Sequence, residues 1–400
     1  MLTDQQIKQQ AALNKDYVIQ CRRTIHRFAE PSGTEVKTSA FVQAELTAAS
    51  LPFEVVSKTG VLAILDTGRP GPHIALRADI DALPMPEEPN NLAGARVCVS
   101  ENPKTCHACG HDAHTAMLLG AVKAFVACKD SLVGVLYFCF EEGEENGGGL
   151  PGMLAALEKY QVDTCWTIHV YAGLDSGKIC VDAGPRMAGA AGVEIKVIGK
   201  GGHGSRPDMA INPVFCAAEI LSNVAAAWAN QITPGKVVTL GIGSIQGGTT
   251  GNVIPDTAEI LGSLRFFDMA EGAKGVEIFK SVATHTAAMN KCTVEFSPRF
   301  EVLVGSVIND PAYAALAKTG LEEILPENTV SPCEPWYASE SFSEYSVKYP
   351  CVMAHLGINN PAYGSGAAHH NGFFDVDEDV MQIGLISTLK YVATVANQAK

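Results

Sequence analysis

Two stretches in the first half of the chain leave little choice of fold. Gly134–Phe140 reads "GVLYFCF" and Val162–Val170 reads "VDTCWTIHV". Neither alternates polar with apolar residues, so each is expected to be a strand covered on both faces. Ahead of the first, "AHTAMLLGAVKAFVACK" (Ala113–Lys129) sets Met117, Ala121, Val122 and Phe125 at helical spacing. Further upstream, "HIALRADIDALP" begins another strand at His73. Strand–helix–strand order of this kind predicts an α/β domain: a central, mostly parallel sheet flanked by helices.

Ligands of such sheets gather beyond the carboxyl ends of the strands, and the polar clusters of this chain fall there. Asp79 and Asp81 follow one apolar run, "EEGEE" (Glu141–Glu145) follows the second, and His169 closes the third. "KTCHACGHDAHTA" (Lys104–Ala116) places Cys109 and His111 just ahead of a helix, whose N-terminus favours a thiolate. Adjacent Glu144 and Glu145, read as extended backbone, point in opposite directions. One can then hold a metal while the other serves as a base. "GAAHHNGFFD" adds His369 and His370 near the C-terminus. Taken singly, these are also a polar loop, an acidic loop and a core histidine, and the Cys109 stretch alone favours a metal ligand over a nucleophile only modestly. Together, a Cys, His, Glu, His, His set from distant segments exceeds the four close-set ligands of a structural zinc. It points to a catalytic site, with two metals.

Composition narrows the partners. The net charge is −14 with no basic block, which argues against nucleic acid or an anionic membrane. No apolar run reaches the ~18 residues that span a bilayer. "MLTDQQIKQQAALNKDYVIQ" lacks the apolar middle of a signal peptide, so a cytoplasmic location is expected. Most of the twelve cysteines sit in apolar stretches, where reduced, buried thiols are the default.

From about Gly189 the pattern changes. Val193, Ile195 and Val197 alternate with Glu194 and Lys196, as in a strand with one wet face. Asn212-Pro213 opens a helix, with Asn as cap and Pro in the first turn, and an apolar face of Val214, Ala218, Leu221, Ala225 and Trp228. Strands at Val237–Ile245 and Thr257–Phe267, a helix at Glu271–Met289 and a strand at Cys292–Ser297 complete a βαββαβ order. That order predicts a ferredoxin-like sandwich, inserted as residues 187–298 into a catalytic domain of residues 1–186 and 299–400.

"RRTIHRFAE", "ALRADIDALP", "HACGHDAH", "EEGEENGGG", "GGHGSRP", "GGTTGNVIPD", "GSLRFF" and "SESFSEY" follow one another in this chain. In that order they resemble the amidohydrolase branch of the metallopeptidase family that includes glutamate carboxypeptidase and acetylornithine deacetylase. Hippurate hydrolase, the auxin-conjugate hydrolases and bacterial N-acyl-amino-acid aminoacylases belong to that branch. The resemblance implies two divalent cations held by Cys109, His111, Glu145, His169 and His370, with the thiolate bridging. It implies Glu144 as the general base, Asp81 as a supporting aspartate near the metals, and His203 as the group that polarises the scissile carbonyl. It further implies Asn252 as a substrate contact, and His370 rather than His369 as the C-terminal ligand. The cysteine ligand favours zinc on softness, with manganese, nickel or cobalt as alternatives.

The activity so implied is hydrolysis of N-acyl or N-aroyl amino acids, with a metal-activated water as nucleophile. A sister reading is a dipeptidase or carboxypeptidase of the same chemistry, and a reading from another class is a binding protein on this fold. The inserted domain is expected to act as a lid and to make a homodimer or a dimer of dimers. Glu141-Glu142 stand where the branch has Gln-Pro, which opens a second register for the glutamate pair; the glycine run after Glu145 selects Glu144-Glu145. Ser341 stands where the branch has Asp, and "HRFAEPSG" departs from its usual pattern.

Overall fold

The computed structural model describes residues 1–300 and 303–398. The chain divides into two compact units. The first comprises Met1–Arg186, Ile308–Glu334 and Glu344–Lys400, and the second Met187–Val307 and Pro335–Ser343.

The first unit is built on a seven-stranded sheet. Its strands are β1 (Phe53–Val56), β2 (Gly60–Asp66), β3 (His73–Asp79), β4 (Val135–Glu141), β5 (Thr164–Asp175), β6 (Ile179–Cys180) and β7 (Cys351–Asn359), in the order β1-β2-β4-β3-β5-β7-β6. The four central strands β4, β3, β5 and β7 run parallel, while β1, β2 and β6 pair antiparallel at the two edges. The two apolar runs behave as their composition demands: β4 from Leu136 and β5 from Thr164 through Val170 are buried residue after residue, and so are β3 from Ile74 and β7 through Ile358. Helices α1 (Asp4–Arg27), α2 (His111–Ala127) and α3 (Met381–Gln398) pack on one another, and α2 also packs on β3 and β5. Thr3 caps α1 with a reciprocal bond to Gln6.

Two local expectations are corrected. Helix α2 begins at His111, two residues before the expected start, because Gly110 takes a left-handed φ of 91° and its carbonyl accepts the N–H groups of Ala113 and His114. β5 does not stop at His169 but continues to Asp175 alongside β7. His169 therefore lies inside a strand. The last registered pair between β3 and β5 is Arg77↔Thr167, so two residues further on His169 is level with Asp79, where β3 ends.

In the second unit, strands Val238–Gln246, Thr257–Phe266, Gly189–Ile198 and Thr293–Phe296 form an antiparallel sheet in that order. Helices Pro213–Gln231 and Met269–Met289 pack on it. Numbered along the chain the strand order is 2-3-1-4, the arrangement of a ferredoxin-like sandwich. Val193, Ile195 and Val197 are buried, as the alternation requires. Asn212 caps the first helix, its side chain accepting the Val214 N–H at 2.9 Å. The buried face of that helix is Pro213, Cys216, Ala217, Ile220 and Val224, one step round from the expected face; Val214, Ala218 and Ala225 are exposed. "VFCAAEILSNVAAAW" is apolar nearly all round, so spacing alone does not choose between faces.

Candidate metal centre

The five candidate ligands arrive from four separate places in the first unit. Cys109 and His111 flank the left-handed Gly110 at the start of α2. Glu145 lies on a 3-10 turn, Glu144–Asn146, after β4. His169 lies within β5, and His370 lies in the loop between β7 and α3. Their ligand atoms converge. Cys109, His111 and His169 offer atoms all within 4.8 Å of one another, as do Cys109, Glu145 and His370, and as do His111, Glu144 and Glu145. Cys109 is common to the first two groups and Glu145 to the last two.

Each ligand is aimed by a neighbour. Asp81, wholly buried, accepts the Ser32 hydroxyl (2.6 Å) and the Glu145 backbone N–H (3.1 Å) on Oδ2. Its Oδ1 meets His111 Nδ1 at 3.1 Å, which leaves His111 Nε2 turned toward the cluster. His169 Nδ1 donates to the Val170 carbonyl at 2.7 Å, freeing Nε2 to face Cys109 Sγ at 3.7 Å. His370 has a left-handed φ of 59°, rare for a residue with a Cβ, held by its N–H on the Ala108 carbonyl at 2.9 Å. Strain of this kind costs on the order of 1–3 kcal/mol and gathers at functional sites. It sets His370 Nε2 3.2 Å from Glu145 Oε1.

The two glutamates correct the expected geometry. They do not diverge from extended backbone: Gly143 (φ 61°) and Gly147 (φ 69°) close the turn from either side, and both carboxylates reach His111. The alternative register has other work. Glu141 accepts Arg77 Nη2 at 2.7 Å and the Tyr345 hydroxyl at 2.5 Å in the core. Glu142 accepts the backbone N–H groups of Lys58, Thr59 and Gly60 at the β1–β2 turn. A fourth group, Asp79, His111 and His114, is also compact, but its His114 is already satisfied. His114 Nδ1 donates to Asp79 at 2.7 Å, and its Nε2 accepts the Val170 N–H at 2.9 Å.

The donor set fits a pair of divalent cations on two observations. His111 Nε2 is buried and reached by no hydrogen bond, and Glu145 Oε1, also buried, lies 3.9 Å from it and 3.2 Å from His370 Nε2 without a hydrogen bond to either. Orphaned buried polar atoms of this kind call for a partner. Burial also pushes the Cys109 thiol well above its ordinary value, against the pull of His111, so a thiolate there needs a cation beside it. Asp79 tells the opposite story: burial would raise it, but His111, His114 and Arg77 outweigh that and hold it well below the ordinary carboxylate range.

His369 was passed over in favour of His370, yet the structure gives it a position. Its Nε2 accepts the Ala172 N–H at 3.2 Å, which places the ring proton on Nδ1, and Nδ1 lies 3.8 Å from Cys109 Sγ. The doubled histidine was the available signal. His203 and Asn252 lie in the second unit: His203 ends a two-residue strand, Gly202–His203, that pairs with Val253–Ile254, and Asn252 lies in the turn just before that partner, its carbonyl accepting the Gly204 N–H at 2.8 Å.

A mostly parallel sheet with mixed sulfur, nitrogen and oxygen donors at its rim defines a metallohydrolase. Residues 75–393 match the model of the peptidase family M20/M25/M40, and the chain belongs to that family. It is 33% identical to a thermostable carboxypeptidase of Saccharolobus solfataricus over 93% of this chain and 94% of that one. It is 38% identical to an N-acyl-L-amino acid amidohydrolase of Geobacillus stearothermophilus over 67% of this chain and 71% of that one. An IAA-amino acid hydrolase of Arabidopsis thaliana is 32% identical over 92% and 83%. Among solved structures, the Bacillus subtilis YXEP protein, a dinuclear metal binding peptidase of the M20 family, superposes with a TM-score of 0.81 at 28% identity, covering 97% of this chain and all of that one. The protein is a hydrolase of this family, with candidate ligand groups for metal.

Proposed function

We propose that the protein hydrolyses the amide bond joining an acyl or aroyl group to an amino acid. The observation that carries this reading is the convergence of Cys109, His111, Glu145, His169 and His370 with a second carboxylate, Glu144, beside them. Those five residues would hold two divalent cations, zinc before manganese, nickel or cobalt. When bound, such a pair supplies Lewis acidity to a water and to the scissile carbonyl.

The chain's own residues do the rest. Glu144 takes a proton from the attacking water and returns it to the departing amine nitrogen. Asp81 holds His111 in one tautomer. His203 polarises the carbonyl and Asn252 contacts the substrate. The relative from Geobacillus stearothermophilus, named an N-acyl-L-amino acid amidohydrolase, and the Arabidopsis thaliana hydrolase support this substrate class. The second unit serves as a lid and as the contact of a homodimer, a role that suits its exposed Met209, Phe215 and Val253. Its small-molecule substrate and its many buried thiols suit a cytoplasmic setting.

Replacing Glu144 by Ala tests the reading. Two equivalents of metal should remain by elemental analysis, while turnover of N-acetyl and N-benzoyl amino acids falls by about 10²–10⁴-fold. Activity that survives the change sinks the role given to Glu144. A preference for free dipeptides over both acyl series would favour the carboxypeptidase chemistry named for the Saccharolobus solfataricus relative.

A further inference from the structure

Beside the metal centre, where His355 registers with His169 across β5 and β7, one cluster in the first unit gathers two thiols, an imidazole, a guanidinium and a carboxylate, none of them a candidate ligand. Cys180 ends the edge strand β6. Backbone bonds in both directions, Ile179 N–H to Thr329 O and Ser331 N–H to Ile179 O at 2.9 Å each, lay the segment leading to Cys333 beside it. The Cys333 backbone is pinned on both sides, its N–H on Asp182 Oδ2 at 3.3 Å and its carbonyl accepting Arg186 Nη1 at 3.0 Å. The same Nη1 reaches both sulfurs, 3.6 Å from Cys180 Sγ and 4.0 Å from Cys333 Sγ. Cys333 Sγ faces His355 Nδ1 at 3.5 Å, and Cys180 Sγ donates to Asp182 Oδ2 at 3.3 Å. Arg186 is 5% exposed, its charge met by Asp182 at 3.9 Å, the Cys333 carbonyl and the two sulfurs.

Other cysteines also touch, but differently. Cys165 registers with Cys351 across β5 and β7, and Cys216 lies by Cys292. All four of those cysteines are buried. Reactive thiols need access and a group that favours thiolate. Only Cys333 is more than marginally exposed among the twelve cysteines, and only its pair carries the arginine.

We infer that Cys180 and Cys333 are a redox-active dithiol that a hydroperoxide closes to a disulfide. Cys333, the accessible member, meets the oxidant. Its sulfur attacks the terminal peroxide oxygen, the O–O bond breaks, and the thiol proton passes by way of His355 Nδ1 to the departing oxygen, which leaves as alcohol or water. Cys333 is then a sulfenic acid. Cys180 gives its proton to Asp182 and attacks the Cys333 sulfur; the S–S bond forms and the sulfenic oxygen leaves, with that proton, as water. Two thiols and one hydroperoxide become one disulfide, one alcohol and one water. Arg186 favours thiolate on both sulfurs, but the hydrogen bond between them lowers the Cys180 thiol and raises that of Cys333, so Cys333 attacks as His355 takes its proton. The bond would join residues that stand just before the two points, Arg186–Met187 and Glu334–Pro335, where the chain leaves the first unit. This inference is independent of the hydrolytic reading.

The test uses the full chain loaded with zinc and treated with hydrogen peroxide. Peptide mapping without reduction should yield one new cross-linked species containing Cys180 and Cys333, lighter by two hydrogen atoms, and two of the twelve thiols should disappear. In Cys180→Ser, Cys333 should stop at sulfenic acid, trapped by dimedone; in Cys333→Ser, Cys180 should stay reduced. Arg186→Leu should slow closure about tenfold, the effect of one unit in thiol acidity. Recovery of Cys180 and Cys333 as separate unmodified peptides, while other cysteines oxidise, would overturn the inference. So would a cross-link of either to a different cysteine. The wild-type map decides the matter even if a variant fails to fold.

Discussion

At the scale of single residues, the chemistry depends on which nitrogen of each histidine carries a proton. Asp81 settles this for His111 and the Val170 carbonyl for His169. His369, held by the Ala172 N–H, turns its Nδ1–H on the Cys109 sulfur. His369→Leu should weaken metal binding by roughly 10–100-fold, read by competition with a chromophoric chelator. His369→Asn, whose amide N–H falls near the position of Nδ1, should recover most of the loss. His26 carries a pH dependence of its own. Burial lowers its pKa, but Asp112 at 2.8 Å and Glu87 at 2.9 Å outweigh burial and the repulsion of Arg22, raising it to about 9. A group raised on folding stabilises fully below its unfolded value of about 6.5 and loses that contribution as pH rises through the folded one. Between pH 6.5 and 9, stability should therefore fall by up to about 1.4 kcal/mol per pH unit. Urea midpoints in His26→Gln should be flatter across that window; an equal slope in both proteins would refute the assignment.

At the scale of elements, what was legible followed from period and composition. The apolar runs of β4 and β5 announced buried parallel strands, and the alternation at Val193–Val197 announced a one-sided sheet. What was not legible depended on backbone turns and on faces with equal apolar content. The 3-10 turn under Glu144 and Glu145 arises from left-handed φ at Gly143 and Gly147, which "EEGEENGGG" permits but does not demand. The buried face of Pro213–Gln231 was chosen by the sheet beneath it. The ties between elements were also beyond local pattern. Arg22 on α1 is 1% exposed and holds Asp112 of α2 at 3.0 Å, Asp375 at 2.9 Å and Glu378 at 3.1 Å. It thereby fastens the helix that begins with His111 to the segment that follows His370. Arg22→Met leaves buried carboxylates unpaired and should cost about 3–5 kcal/mol, measured by chemical denaturation. A loss below 1 kcal/mol would mean that His26 and Arg96 already neutralise the cluster.

At the scale of the whole molecule, the two units answer differently to metal. Every candidate ligand lies in the first unit, within Met1–Arg186 and Glu344–Lys400; the second holds none among the described residues. The boundary expected at residue 298 gave no hint that the second unit also takes in Leu303–Val304, which pairs with Ala190–Ala191, and Pro335–Ser343, whose Trp336 and Ala338 carbonyls accept the Ala188 N–H. Pairings across more than a hundred residues leave no periodic trace. Metal that binds only the folded first unit stabilises it by about 2.7 kcal/mol when free metal exceeds the dissociation constant a hundredfold. Chelation should therefore lower the unfolding midpoint of that unit and speed amide exchange at the start of α2, in the Glu144–Asn146 turn and around His370. Exchange in the strands Gly189–Ile198 and Thr257–Phe266 should stay within error of the loaded protein. Equal deprotection of both units would show that they unfold as one cooperative block. No change in either would mean that the converging side chains hold no metal that matters to the fold.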